Sequence, residues 1–261
     1  MKVAVCFFGF IGNTQGPVTG NVGHSGAVIK NDYIFENQKL FLIDHLKADV
    51  YLHTWSFEDK KRIMSELNPL DSLYEKVISP ENLVGPNNIH LNMKNRIKEL
   101  FYPDINMKDY MYNEFYGNSS RWLSAKKSLD LAFNSGIHYD AIISCRLDLI
   151  FNRSFDIPEN LQENELLVSH WNDAKFNGTR NFNNQNNYTY EKKGFMDLWF
   201  AGSSSAMKKL SLISENLDKL SVFSHLSSFE HAMNNKLTPR FQYYRGIDYE
   251  LYRRQVLNSS R

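Results

Sequence analysis

Residues 139–151 read Tyr139-Asp140-Ala141-Ile142-Ile143-Ser144-Cys145-Arg146-Leu147-Asp148-Leu149-Ile150-Phe151. The stretch opens like a buried strand, with Ala141, Ile142 and Ile143 in a row. Two charges, Arg146 and Asp148, then interrupt an apolar run that continues to Phe151. Charged side chains enter a core only when paired, bound to metal or solvated at an edge. Two readings follow. One is a structural Arg–Asp pair at a strand end. The other is a ligand site at the carboxyl end of a sheet strand, where open α/β sheets bind their ligands.

The sequence before this stretch sets its context. Residues 2–10 read as a strand buried on both faces, and 49–55 and 73–78 as two more. Helical spacing is predicted between them, over 36–47 (Leu40, Ile43 and Leu46 on one face) and 57–67. This β-α-β-α-β rhythm predicts an α/β fold with a mostly parallel central sheet flanked by helices. Helices are also expected over 93–101 and 108–116. Ser119 and Ser120 start a further one that runs to Asn134, with Trp122, Ala125, Leu129, Ala132 and Phe133 as its apolar face. Gly136 suits a left-handed position after that helix.

Beyond the stretch, 156–158 is a turn and 165–171 a strand. Residues 172–187 are rich in asparagine, a surface loop or a lid over a site. A strand over 194–201 leads into Gly202 and three serines, which cap a helix to about residue 220. Ser227 and Ser228 are expected to cap another helix, with Phe229, Ala232 and Met233 on its apolar face and Glu230 and His231 in its first turn. Residues 240–245 read as a last strand.

Bulk composition narrows the function classes. The chain has 261 residues, 42% hydrophobic, enough for one large domain. Residues 1–151 form a nucleotide-sized half, and 152–261 an acceptor half with a tail. A net charge of +1 gives no footprint for nucleic acid. Cys6 and Cys145 lie in separate apolar runs, which suggests buried thiols rather than a disulfide or zinc framework. No signal-peptide pattern opens the sequence and no apolar run reaches membrane-spanning length. A cytoplasmic protein is the expectation, with peripheral membrane contact left open. Gly9, Gly12, Gly16, Gly20, Gly23 and Gly26 form a glycine-rich loop after the first strand. It matches neither a P-loop nor a dinucleotide fingerprint, so it is either a surface loop or a loop that covers a ligand.

The order of these parts resembles the GT-A class of nucleotide-sugar glycosyltransferases, in particular small bacterial and large-virus enzymes that build surface polysaccharides. The residues that carry the resemblance are Asp49-Val-Tyr-Leu-His-Thr-Trp55, the helix bearing Ser124, residues 139–151, and Asp197-Leu-Trp-Phe-Ala-Gly-Ser203. The resemblance implies transfer of a sugar from a nucleoside-diphosphate sugar to a hydroxyl of a polysaccharide or other glycan. Arg146-Leu147-Asp148 stands where such enzymes carry Asp-x-Asp, which holds a divalent metal against the diphosphate. Asp148 would then ligate Mn²⁺ or Mg²⁺, or Arg146 would grip the phosphate directly. Asp197 would meet sugar hydroxyls, and Trp199 would offer a ring face or simply pack in the core. Glu230 would be the general base of an inverting reaction, with His231 as a substitute, or else only a helix cap. Gly9 and Gly12 would border the nucleotide, and Arg245, Arg253 and Tyr252 would close over the diphosphate, or else be only exposed tail residues. Unlike many metal-using members, the chain has no histidine after His231. Two other readings stay open: a nucleotidyl or phospho-group transferase, and a non-catalytic glycan-binding domain.

Overall fold

The computed structural model describes residues 1–11, 33–78, 83, 107–170, 194–221, 224–243, 245 and 247–251. The strands are β1 (Val3–Gly9), β2 (Asp49–Thr54), β3 (Asp71–Tyr74), β4 (Ala141–Arg146), β5 (Leu149–Phe151), β6 (Glu165–His170), β7 (Phe195–Gly202), β8 (Thr238–Phe241) and β9 (Tyr249–Leu251). Seven of them form one sheet in the order β3-β2-β1-β4-β7-β6-β8, while β5 and β9 pair as a separate ribbon. The β1–β2, β2–β3, β1–β4 and β6–β8 pairings are parallel. Only β7 runs against its neighbours, β4 and β6. The expected α/β fold with a mostly parallel sheet is what forms.

The reason lies in the central strands. β1, β4 and β7 are apolar on both faces, so both faces need a cover. On one face Val5, Phe7, Ile143, Cys145 and Trp199 pack with Ile34, Phe35 and Ile63. The last three come from α1 (Tyr33–Gln38) and α2 (Lys60–Leu67). On the other face Ala4, Cys6, Phe8 and Ile142 meet Trp122, Ala125 and Leu129 of α3 (Met107–Asn134). α4 (Ser204–Ser211) and α5 (Ser224–Asn234) complete that layer. Cys6 and Cys145 are buried on opposite faces and remain free thiols.

Several local expectations are corrected. α1 continues through a π-helical turn, Lys39–Ile43, before Asp44–Leu46. The wider turn shifts the helical register, so Leu42 and Ile43 are buried while Leu40 is 63% exposed. The helices expected over 108–116 and from Ser119 are one helix of 28 residues. Gly117 costs a helix interior about 1 kcal/mol relative to alanine, and burial of Phe115, Tyr116 and Trp122 around it offsets that. Within residues 139–151 the buried strand ends at Arg146. The chain turns at Leu147-Asp148 and enters β5, which leaves the main sheet to pair with β9. The third strand lies at 71–74 rather than 73–78, and the last strand of the main sheet at 238–241 rather than 240–245. α5 starts at Ser224, ahead of the expected serine caps. The Ser227 and Ser228 hydroxyls donate to the carbonyls of Ser224 and His225 instead. His231, not Met233, is buried on this helix.

Trp199 settles as core. It is fully buried, edge-on to Phe155 at 4.9 Å and near Tyr243 and Tyr249. A sugar ring cannot reach its face. Trp199→Ala should therefore lower unfolding free energy by ~3–5 kcal/mol, read by urea denaturation. A loss under ~1 kcal/mol would contradict this placement.

Candidate functional site

The sheet order creates a crevice by construction. The chain goes from β1 to β2 and β3 on one side, then crosses back to β4 on the other side of β1. Connections leaving the carboxyl ends of β1 and β4 therefore diverge, and ligands of open α/β sheets bind in that gap. The parallel register pairs Phe8 with Arg146, so the gap opens just beyond Gly9 and Arg146. Because β7 is reversed, its first residues, Phe195 to Asp197, lie at this same edge.

Arg146 and Asp148 face each other there as a two-pronged pair. Arg146 Nε donates to Asp148 Oδ1 at 2.8 Å and Nη2 to Oδ2 at 2.7 Å. Asp148 is 1% exposed, whereas the Arg146 side chain is 18% exposed. Burial works against the Arg146 charge, but attraction and hydrogen bonding from Asp148 outweigh it and raise the guanidinium pKa further. The backbone holds the turn in place: Leu147 N donates to Phe8 O at 2.9 Å, and buried Gln38 Nε2 donates to the carbonyls of Leu147 and Leu149. Phe8 belongs to the core layer under α3, and its register partner Arg146 shares that face.

Gly9 ends β1 with φ +95°, a left-handed conformation open to glycine. Its N–H donates to Ser124 Oγ at 2.9 Å, and its carbonyl accepts from Thr54 Oγ1 at 2.7 Å. Ser124 Oγ in turn lies 2.6 Å from His53 Nδ1, and His53 Nε2 lies 2.9 Å from Glu75 Oε2. Lys127 closes the chain with an ion pair to Glu75. One proton arrangement satisfies every partner: Nε2–H donates to the carboxylate, and the serine hydroxyl donates to Nδ1. Burial pushes the His53 pKa down to about 4, against the pull of Glu75, with Lys127 lowering it further. His53 is thus a neutral, hydrogen-bonded core histidine.

On the far side of Arg146, Asp197 forms an ion pair with Arg121 of α3 and is only 6% exposed. The β6–β7 register jumps here from Val168–Phe200 to Ser169–Met196. Residues 197–199 thus bulge out of step with β6, a device that re-aims side chains. His225, in the first turn of α5, lies against the start of β7: a Cβ added at Gly194 would sit 2.5 Å from its ring. Burial, then the Arg121 charge, lowers the His225 pKa to about 4. Asn118 Nδ2 donates to Ser227 Oγ at 3.2 Å and ties α3 to α5 beside it.

The edge therefore brings together Gly9, Arg146, Asp148 and Asp197 among the residues singled out from sequence. Glu230 falls in the middle of α5 rather than its first turn, about 9 Å along the axis from Ser224. Its Oε2 accepts from Ser221 N at 2.8 Å. His231 is buried and bonded to Lys209 O at 2.8 Å, which removes it as a substitute base. Arg245 is 7% exposed and bridges to Tyr249, at the start of β9. Leu251 pairs with Leu149, which puts it one residue along the chain from the register position of Asp148. Gly12, Tyr252, Arg253 and the 172–187 segment lie outside the described residues. Arg121, His225, Glu75 and Lys127 were missed. Arg121 had a signal, since it is spaced three residues from Ser124 and so shares its helix face; His225 had none.

A divalent metal does not fit the described donors. Both oxygens of Asp148 are taken by Arg146. Among the described residues no group of three His, Cys, Asp or Glu side chains could hold a metal ion.

No family model and no curated protein matches the sequence. Solved structures that overlap it include a galactosyltransferase, LgtC, in complex with donor and acceptor sugar analogues, at 14% identity and TM-score 0.38 over 80% of this chain and 68% of that one. Another is a cytidylyltransferase from Leptospira borgpetersenii serovar Hardjo-bovis, at 14% identity and TM-score 0.41 over 95% of this chain and 78% of that one. Likenesses this weak carry neither a reaction nor a substrate to this chain.

The two depressed histidines give a pH dependence. The unfolded chain takes up protons near pH 6.5, but folded His53 and His225 resist until about pH 4. Their contribution is therefore fully present above about pH 6.5 and lost as pH falls toward 4. For fully buried His53 the loss is ~3 kcal/mol. Urea unfolding across that window should show falling stability, with a shallower slope in His53→Gln. An unchanged slope would remove His53 from the buried network.

Proposed function

We propose that the chain is a nucleotide-sugar glycosyltransferase of GT-A type, with the donor held at the carboxyl edge of β1 and β4. The observation that carries this is the Arg146–Asp148 pair: a partly exposed guanidinium, fixed by a buried carboxylate, beside β1, where the strand order reverses. The motif order in the sequence supports the same reading.

In this reaction an acceptor hydroxyl oxygen bonds to the anomeric carbon. The bond from that carbon to the diphosphate breaks, and its electron pair leaves with the nucleoside diphosphate. The hydroxyl proton passes to a base. Charge gathers on the diphosphate in the transition state, so oriented donors there accelerate the step. Arg146 is placed for that. Asp197, held by Arg121, is placed for sugar hydroxyls. With Glu230 as that base the outcome would be inversion; its Oε2 accepts from Ser221 N.

A nucleotidyl transferase would use the same edge but release pyrophosphate. A glycan-binding domain would draw no stacking platform from Trp55, Trp122 and Trp199, which are buried. No described helix is long and apolar enough to cross a membrane. The acceptor is proposed to be a polysaccharide or other glycan.

Incubation with a panel of nucleoside-diphosphate sugars should release the nucleoside diphosphate, slowly to water and faster with a glycan acceptor. Arg146→Ala should lower that rate at least ~10-fold. Release of no nucleoside diphosphate from any donor, release of pyrophosphate from a nucleoside triphosphate and a sugar phosphate instead, or full activity in Arg146→Ala, would overturn the assignment.

A further inference from the structure

We propose that this site binds the donor diphosphate without a divalent cation, using the Arg146 guanidinium, and that Asp148 is a positioning residue rather than a metal ligand. This rests on the donor-site reading above and goes beyond it by assigning the chemistry of diphosphate binding.

Three observations converge. A carboxylate that ligates a hard cation must offer oxygen lone pairs directed at the ion. Asp148 is 1% exposed and directs both oxygens at Arg146. A second carboxylate is absent two residues before it, because Arg146 itself occupies that position. Asp197, the other acid at this edge, is engaged by Arg121. Each acid at the crevice that the structure describes is therefore matched to its own arginine.

The guanidinium, by contrast, is only partly committed. Of its five N–H donors, Asp148 takes two, leaving three N–H bonds on the partly exposed side chain. That fork matches the paired oxygens of a phosphate, which a point charge does not. Asp148 removes the rotational freedom of the fork, so its orientation is set before the ligand arrives. Gln38 fixes the Leu147 and Leu149 carbonyls on either side of Asp148 and keeps the carboxylate in register. The exposures assign the roles: Arg146 reaches the crevice and Asp148 stands behind it.

Calorimetric titration of the full chain with UDP, GDP, ADP and CDP, in EDTA and in excess MnCl₂, tests this. At least one nucleotide should bind with the same Kd, within about twofold, in both conditions. Binding that weakens tenfold or more in EDTA would overturn the inference while leaving the donor site standing. Failure of all four to bind in either condition would overturn the donor-site reading and this inference with it. Arg146→Asp supplies the missing carboxylate and frees Asp148, so its nucleotide binding should become dependent on Mn²⁺. If that variant does not fold, Arg146→Gln serves: it should bind diphosphates at least ~10-fold more weakly and gain no Mn²⁺ dependence. Asp148→Asn should weaken the nucleoside diphosphate while sparing the parent nucleoside. Equal weakening of both would mean that Asp148 only holds the fold.

Discussion

The structure turns on the two-pronged bond between Arg146 and Asp148. β4 lies at the centre of the sheet, with β1 on one side and β7 on the other, and is buried almost to its end. A strand in that position cannot carry an unpaired charge, because the desolvation cost would exceed what a marginally stable domain tolerates. The pair resolves the conflict locally. It lets the chain stop at Arg146, turn through Leu147 and Asp148, and enter the β5–β9 ribbon without leaving a bare charge. A pair is not the most stable solution available, since apolar residues of similar volume often serve as well or better. Its presence at the strand-order reversal is therefore better explained by what Arg146 can bind.

The surroundings repeat this logic of fixing a group from behind. The Gly9 amide is held by Ser124, which meets His53, then Glu75 and Lys127. Asp197 is held by Arg121, and Asn118 links that helix to α5. One helix, α3, supplies Asn118, Arg121 and Ser124 at spacings of three, so they rise along one face like rungs. The same helix buries Trp122, Ala125 and Leu129 against the sheet. Core packing of α3 and the geometry of the crevice are thus linked: a shift of α3 would move all three polar contacts together.

The fold was largely legible because it depends on burial patterns that sequence displays directly. Apolar-rich runs in 3–9, 49–54 and 141–146 read as strands of a parallel sheet, and they are. The errors came where local geometry departs from regular period. A π-helical turn moved Leu40 outward, and a turn at Leu147-Asp148 split an apolar run that looks continuous on paper. At the site, the sequence marked Arg146, Asp148 and Asp197 because charges within apolar runs are conspicuous. It offered the Arg146–Asp148 pair as one of two readings, but not Arg121 as the partner of Asp197. Whether Asp148 ligates a metal or Arg146 grips the phosphate directly stayed open in the sequence, because the exposures of the two side chains are not legible there. Glu230 misled for a related reason: its apparent place in a first turn depended on where α5 begins, and that start lies three residues upstream of the serines.

The central claim is spatial: a nucleoside diphosphate sits between the ends of β1 and β4, with its phosphates on the Arg146 guanidinium. A crystal structure of the chain soaked with a nucleoside diphosphate tests it most directly. The account predicts phosphate oxygens within hydrogen-bond distance of Arg146, with the Arg146–Asp148 pair intact beneath them. A nucleotide bound elsewhere, or phosphates gathered by a metal on Asp148 with Arg146 displaced, would contradict it.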